Sequence, residues 1–230
     1  AINVVLKQQG DDEQNAWQGE VTSEYRQRTY AVGGLRASML YVGKRTTAEA
    51  LYAYRNGREF SEEELTAAHT LNGTVYDIRQ HSEGTNKGDG HNVHMALQHT
   101  FGNKDKGDVS YTGIFDDGRS NRTASTDISG TVTNSKTGTS GPSSTHNIKA
   151  DYSAHFGLNI GADYTAYNDK SDYFLENTSL ASSALANKLT YQSEQEVRRT
   201  MFYVTQLHTL NNDWSINYGL NYSGAHTQNR

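Results

Sequence analysis

The stretch DYSAHFGLNIGADYTAY, residues 151–167, alternates almost without fault. Its even positions carry Tyr152, Ala154, Phe156, Leu158, Ile160, Ala162, Tyr164 and Ala166. Its odd positions carry Asp151, Ser153, His155, Asn159, Gly161, Asp163 and Thr165. A period of two belongs to extended strand, with one apolar and one polar face. The single break is Gly157, a residue able to take the backbone angles of a tight hairpin. The stretch therefore predicts two antiparallel strands that meet at a very short turn and share one apolar face.

Composition narrows what that face can touch. Only 39 of 230 residues are Leu, Ile, Val or Phe, and the mean hydropathy is −0.81. A disordered chain would combine this with high net charge. Here the formal charge is −5 and there are 15 Tyr. A soluble sandwich needs more aliphatic side chains to fill the space between its sheets. A transmembrane β-barrel does not, because its interior is polar and only its lipid face is apolar. Without Cys, disulfide and thiolate chemistry is excluded. No apolar run approaches the ~20 residues of a membrane helix. A pI near 6.0 gives no electrostatic case for nucleic acid as a partner.

The same rhythm recurs along the chain. Trp214, Ile216, Tyr218, Leu220 and Tyr222 share one face, and so do Val93, Met95, Leu97 and Phe101, with His99 intruding. Ala31, Leu35, Ala37, Met39 and Tyr41 form another set, as do Ala48, Ala50, Tyr52 and Tyr54. Val197 to Leu210 fits both faces: Met201, Tyr203 and Leu207 compete with Phe202 and Val204. Short turns are expected at Gly43–Thr46, Asn103–Gly107, Gly157–Leu158 and Asn211–Asp213. Polar stretches at Asn56–Glu64, Glu83–Gly90, Asn134–Thr145 and Ser171–Lys188 read as long loops. Short turns on one side and long loops on the other is the habit of outer-membrane barrels.

Nine strands follow: Trp17–Gln27, Tyr30–Val42, Thr47–Arg58, one ending at Phe101, one from Asp108, one to Phe156, one from Leu158, one to Leu210 and one from Trp214. The fold class expected is all-β, an antiparallel transmembrane β-barrel segment, incomplete as a barrel. First and last strands rise in the same sense, so closure would pair them in parallel. Single-chain bacterial barrels are antiparallel with even strand numbers. An open edge in lipid leaves backbone groups unsatisfied. The segment 1–230 is therefore expected not to close alone, and to be cut or processed from something longer.

AINVVLK, residues 1–7, resembles the last plug strand of TonB-dependent outer-membrane receptors. HNIKADYSAHFGLNIGADYTAYNDKSDYFLENTS (146–179) and LTYQSEQEVRRTMFYVTQLHTLNNDWSINYGLNYSGAHTQN (189–229) are similar to the barrel of such receptors of the Bacteroidetes type. The resemblance implies the end of a plug domain over residues 1–10 and the N-terminal portion of the barrel over 11–230. It implies a plugged barrel of about 22 strands in the cell outer membrane that binds an external ligand and imports it. The partners implied are outer-membrane lipid, an energy-coupling inner-membrane complex reached through the N-terminal region, and a surface lipoprotein or other chains at the open edges. A passive barrel, or an adhesin that binds a partner through its loops, is the alternative.

Nothing in the residues points to catalysis, a cofactor or a metal. His91 and His94 are three apart, which on a strand sends their rings to opposite faces. Asp11-Asp12-Glu13, Glu62-Glu63-Glu64 and Asp116-Asp117 read as solvated loop charge. Asn86–Asn92 lacks the acidic spacing of a calcium loop. No Gly-x-Ser-x-Gly elbow is present. Phe101, Phe156 and Trp214 suit an interfacial aromatic girdle, and one of Arg198 and Arg199 should sit above the apolar band. Asp151, Asp163 and Asn217 are expected on the lumen side. The ligand-binding residues are not legible.

Overall fold

A computed structural model describes residues 15–179, 187–210 and 214–230. These residues form one antiparallel sheet of nine strands: β1 (Ala16–Gln27), β2 (Ala31–Val42), β3 (Thr46–Leu71), β4 (Thr74–Thr100), β5 (Lys106–Ile128), β6 (Thr131–Ser153), β7 (Leu158–Ser179), β8 (Asn187–Thr209) and β9 (Ser215–Asn229). Each strand pairs with its sequence neighbour in the order β1 to β9. The sheet is not closed: among the described residues β1 and β9 each keep one unpaired edge. There is no helix among them, and none long and apolar enough to cross a membrane.

The strand count and order agree with the sequence reading; the turns and loops need correcting. The stretches read as long loops are strand wherever they are described. Asn56–Glu64 lies in β3, Glu83–Gly90 in β4, Asn134–Thr145 in β6, and the described parts of Ser171–Lys188 in β7 and β8. β3 and β4 stay in register from Thr46↔His99 to Leu71↔Thr74. The reversal comes at Asn72 (φ 51°) and Gly73 (φ 81°), and β5 turns into β6 at Ser129 (φ 50°) and Gly130 (φ 92°). Two successive positive φ values make the turn that matches strand twist, and Asn-Gly is its strongest sequence signal. Backbone ladder bonds do not depend on side-chain polarity, so Gly, Ser, Thr and Asn remain in strand here.

At the other end, the connection read as Gly157–Leu158 spans Ala154–Gly157. The Gly157 amide donates to the Ala154 carbonyl (3.0 Å) and the Ala154 amide to Leu158 (2.7 Å). Gly157 has φ 93°, and a Cβ there would stand 2.3 Å from the Leu207 carbonyl oxygen, so the turn requires glycine. The β4–β5 turn runs Phe101–Asp105 rather than Asn103–Gly107, with Phe101 donating to Asp105 (2.8 Å). β2 turns into β3 through Gly43–Arg45, where the Gly43 amide donates to the Thr46 carbonyl (2.8 Å). Asn211–Asp213, Asp11-Asp12-Glu13 and the plug strand read over 1–10 lie outside the described residues.

There is almost no interior. Among the described residues, the buried hydrophobic ones are Val32 (8% exposed) and Ala154 (7%), while Leu220 is 83% exposed. The accessible surface is 16657 Å², against about 10,400 Å² for a compact monomer of this mass. A one-layer sheet has no second layer to cover its apolar side.

Candidate functional site

Register brings apolar side chains from all nine strands together on one face. From β1 to β5 the rows join Val21 to Ala37 and Tyr52, and then to Val93 and Gly113. From β6 to β9 one row runs Tyr152, Ile160, Val204, Leu220, and the next Ala150, Ala162, Phe202, Tyr222. This resolves β8: Phe202 and Val204 belong to the apolar face, Met201 and Tyr203 to the other. Arg198, opposite Ala166 and His226, is the arginine of the pair on the apolar side, ion-paired with Glu196.

Aromatic residues bound this face at both ends. Near the short turns, Trp17 packs on Tyr41 (ring centroids 4.7 Å), His99 on Phe101 (4.9 Å) and His155 on Phe156 (5.5 Å). His99, which interrupts the apolar pattern in sequence, is held there by Thr46 Oγ1 (2.8 Å). At the far end Tyr54 packs on His91 (4.9 Å) and Phe115 on His146 (5.2 Å). The Tyr52 and Tyr111 hydroxyls meet the Nδ1 atoms of His91 (2.8 Å) and His146 (3.0 Å). From His91 to Phe101 the chain advances about 34 Å at strand rise. At a tilt of about 40° that is a band about 26 Å tall, the height of an outer-membrane apolar belt. Among the described residues of β1–β7 and β9, no Asp, Glu, Lys or Arg stands on this face between the two aromatic rows. On β8, Arg198 stands on the rung of Tyr52, Val93, His146 and Ala166, one step inside the row of Tyr54, His91 and Phe115. Elsewhere charge begins just beyond, at Arg58, Lys87, Arg119 and Lys170.

The opposite face is polar and cross-linked. Lys149 Nζ lies 2.9 Å from Asp151, which also accepts from the Tyr203 hydroxyl. Asn147 donates to Asp163 (3.2 Å) and to Thr165 Oγ1 (2.9 Å). His94 bridges Glu49 (3.0 Å) and Thr112 (2.9 Å). His91 and His94 thus stand on opposite faces, as their spacing requires. Above this network Gly57, Gly88, Gly118 and Gly141 fall in register across β3–β6. Gly57, Gly88 and Gly118 floor part of a groove of about 590 Å³ flanked by Arg55, Glu59, Asn86 and Asp116. A Cβ added at Gly88 or Gly118 would meet nothing closer than 3.9 Å.

One feature of the short-turn end has no signal in local sequence. Asp105, 3% exposed, joins the β4–β5 turn to the β6–β7 turn. It accepts from the Tyr152 hydroxyl, the His155 amide (2.8 Å) and the His155 ring (2.7 Å), and from Asn103 (2.6 Å). The Tyr152 bond first, then those from His155, hold its carboxyl well below the usual carboxylate range.

Glu62-Glu63-Glu64 lies on strand, not loop, and splits between the faces. Glu63 turns to the polar face and pairs with Arg122, which also donates to Ser82 Oγ (2.7 Å). Glu62 and Glu64 take the outer face beside His81. Asp116-Asp117 and Asn86–Asn92 are likewise strand, in β5 and β4.

No family model matches the chain. No curated protein matches it. Among solved structures, CarO of Acinetobacter baumannii is 10% identical with a TM-score of 0.23, over 68% of this chain and 81% of CarO. BauA, the ferric preacinetobactin receptor of the same organism, is 7% identical with a TM-score of 0.31, over 94% of this chain and 40% of BauA. The monoaromatic hydrocarbon channel CymD is 10% identical with a TM-score of 0.28, over 99% of this chain and 78% of CymD. Scores this low leave the reading resting on the sheet itself.

Proposed function

We propose that this chain is a wall segment of an outer-membrane transporter of the TonB-dependent type, with the apolar band toward lipid and the polar face toward a plugged lumen. One observation carries the membrane part. An apolar face, continuous over nine strands and bounded by two aromatic rows, backs onto a hydrogen-bonded polar face. Within it the charged side chain among the described residues is the ion-paired Arg198 at the upper margin. Soluble monomers rarely expose so wide an apolar patch, whereas a barrel wall needs this division. The two sheet edges would then pair with further strands, since lipid offers their N–H and C=O groups no partner. Import driven by an energy-coupling inner-membrane complex rests on the resemblance of 1–7, 146–179 and 189–229 to these receptors.

A passive barrel or adhesin is the second reading, favoured by the sheet of β3–β8 that continues beyond the band. Liposome swelling with arabinose separates the two transport modes. A plugged barrel gives no swelling above empty liposomes, and an open pore gives rapid swelling, which would overturn the plugged reading.

A further inference from the structure

We infer that the outer face of the β3–β4 hairpin carries a binding site for a divalent metal ion of the zinc class, built from His81, Glu62 and Glu83 and oriented by Glu64. Register makes the cluster: Glu62 lies directly opposite Glu83, and Glu64 opposite His81. The His81 Nε2 atom is 3.4 Å from Glu83 Oε1 and 3.9 Å from Glu62 Oε1. One ligand atom from each of the three lies within 4.8 Å of the others. Donors at zinc distances of 2.0–2.1 Å in a tetrahedron stand about 3.4 Å apart, so small side-chain rotations bring all three onto one ion. All three are exposed, which leaves the fourth position to water or an incoming ligand.

Two features separate this cluster from a run of solvated acids. First, the two imidazole nitrogens face different groups. Nε2 faces Glu62 and Glu83, while Nδ1 is 3.7 Å from Glu64 Oε1. A carboxylate that accepts the N–H of the non-ligating nitrogen fixes the tautomer and ring of a metal-binding histidine, and a small side-chain rotation brings Glu64 from 3.7 Å into that reach. Second, carboxylates directly opposite across a strand pair repel, and Glu62 faces Glu83 on a surface where Glu63, the run's middle member, has turned away to Arg122. A cation between Glu62 and Glu83 removes that repulsion. Imidazole with carboxylates suits zinc, cobalt or nickel, whereas calcium and magnesium take oxygen donors alone.

The test is zinc titration of the protein purified from outer membranes in detergent and stripped with chelator. One saturable Zn²⁺ per chain is expected, with affinity reduced about tenfold or more by H81A and by the near-isosteric E83Q. E64Q should weaken binding less than E83Q, E63Q should leave it unchanged, and calcium should not compete. Retained β-sheet circular dichroism certifies each variant. Zinc binding that is absent, unaffected by H81A and E83Q, or equally displaced by calcium overturns the proposal.

Discussion

The lower and upper halves of the same strands differ in what holds them. Between the aromatic rows, β3 and β4 keep a strict apolar rhythm: Ala48, Ala50 and Tyr52 stand beside Leu97, Met95 and Val93. Above Gly57 and Gly88 the rhythm disappears and charge occupies both faces, yet the register continues unbroken to Leu71↔Thr74. The lower half is specified by side chains that need an apolar surround. The upper half is specified by backbone pairing and by turn chemistry at Asn72-Gly73. Substitution should therefore act through side-chain polarity below and through backbone conformation above.

The largest effect is expected in the band. Arginine at Ile160 or Leu220 should cost about 2–4 kcal/mol near the bilayer midplane, measured by refolding into lipid. Arginine at Asn159 or Asn221, one step along the same strands, should be mild. Equal losses on both faces would remove the distinction between them.

At the short-turn rim, D105N should loosen the tie between the β4–β5 and β6–β7 turns, read as faster amide exchange at Lys104–Lys106 and His155–Gly157. Because the folded carboxyl is held low, its contribution is present above the ordinary carboxylate pKa of about 3.9 and is lost as pH falls below it. D105N should abolish this acid dependence. An unchanged pH profile in D105N would mean that another group carries it.

A smaller and local effect is expected at the hairpin tip. Gly73 has open space around it, so G73A meets only the strain of a positive φ, about 1–2 kcal/mol. Amide protection at Leu71 and Thr74 should fall while the band is unchanged. A loss of protection within the band would couple two halves that the account treats as separable.

Sequence legibility follows the same division. In residues 151–167 the apolar rhythm exposed the hairpin, its shared face and the Gly157 turn, because lipid-type burial leaves a period-two mark. Above the band, where both faces are polar, no such mark exists, and Asn134–Thr145 looked like loop. The Asn72-Gly73 turn was the available clue to strand there. β8 stayed ambiguous because apolar residues occupy both parities at 201–204, and only pairing with Ile160 and Ala162 assigns Phe202 and Val204. The Asp105 tie joins residues distant in sequence, which no local pattern announces. The split of Glu62–Glu64 between the faces follows only once that run is strand rather than loop.

In the proposed membrane arrangement one face of this sheet meets lipid and the other water. Spin labels placed singly at positions 158–166 of β7, in the protein reconstituted in bilayers, test it directly by their collision rates with oxygen and with a water-soluble nickel chelate. The expected result is period-two oscillations of opposite phase: oxygen maxima at 158, 160, 162, 164 and 166, and nickel maxima at 159, 161, 163 and 165. Collision rates without a period of two, or oxygen maxima at the odd positions, would contradict it.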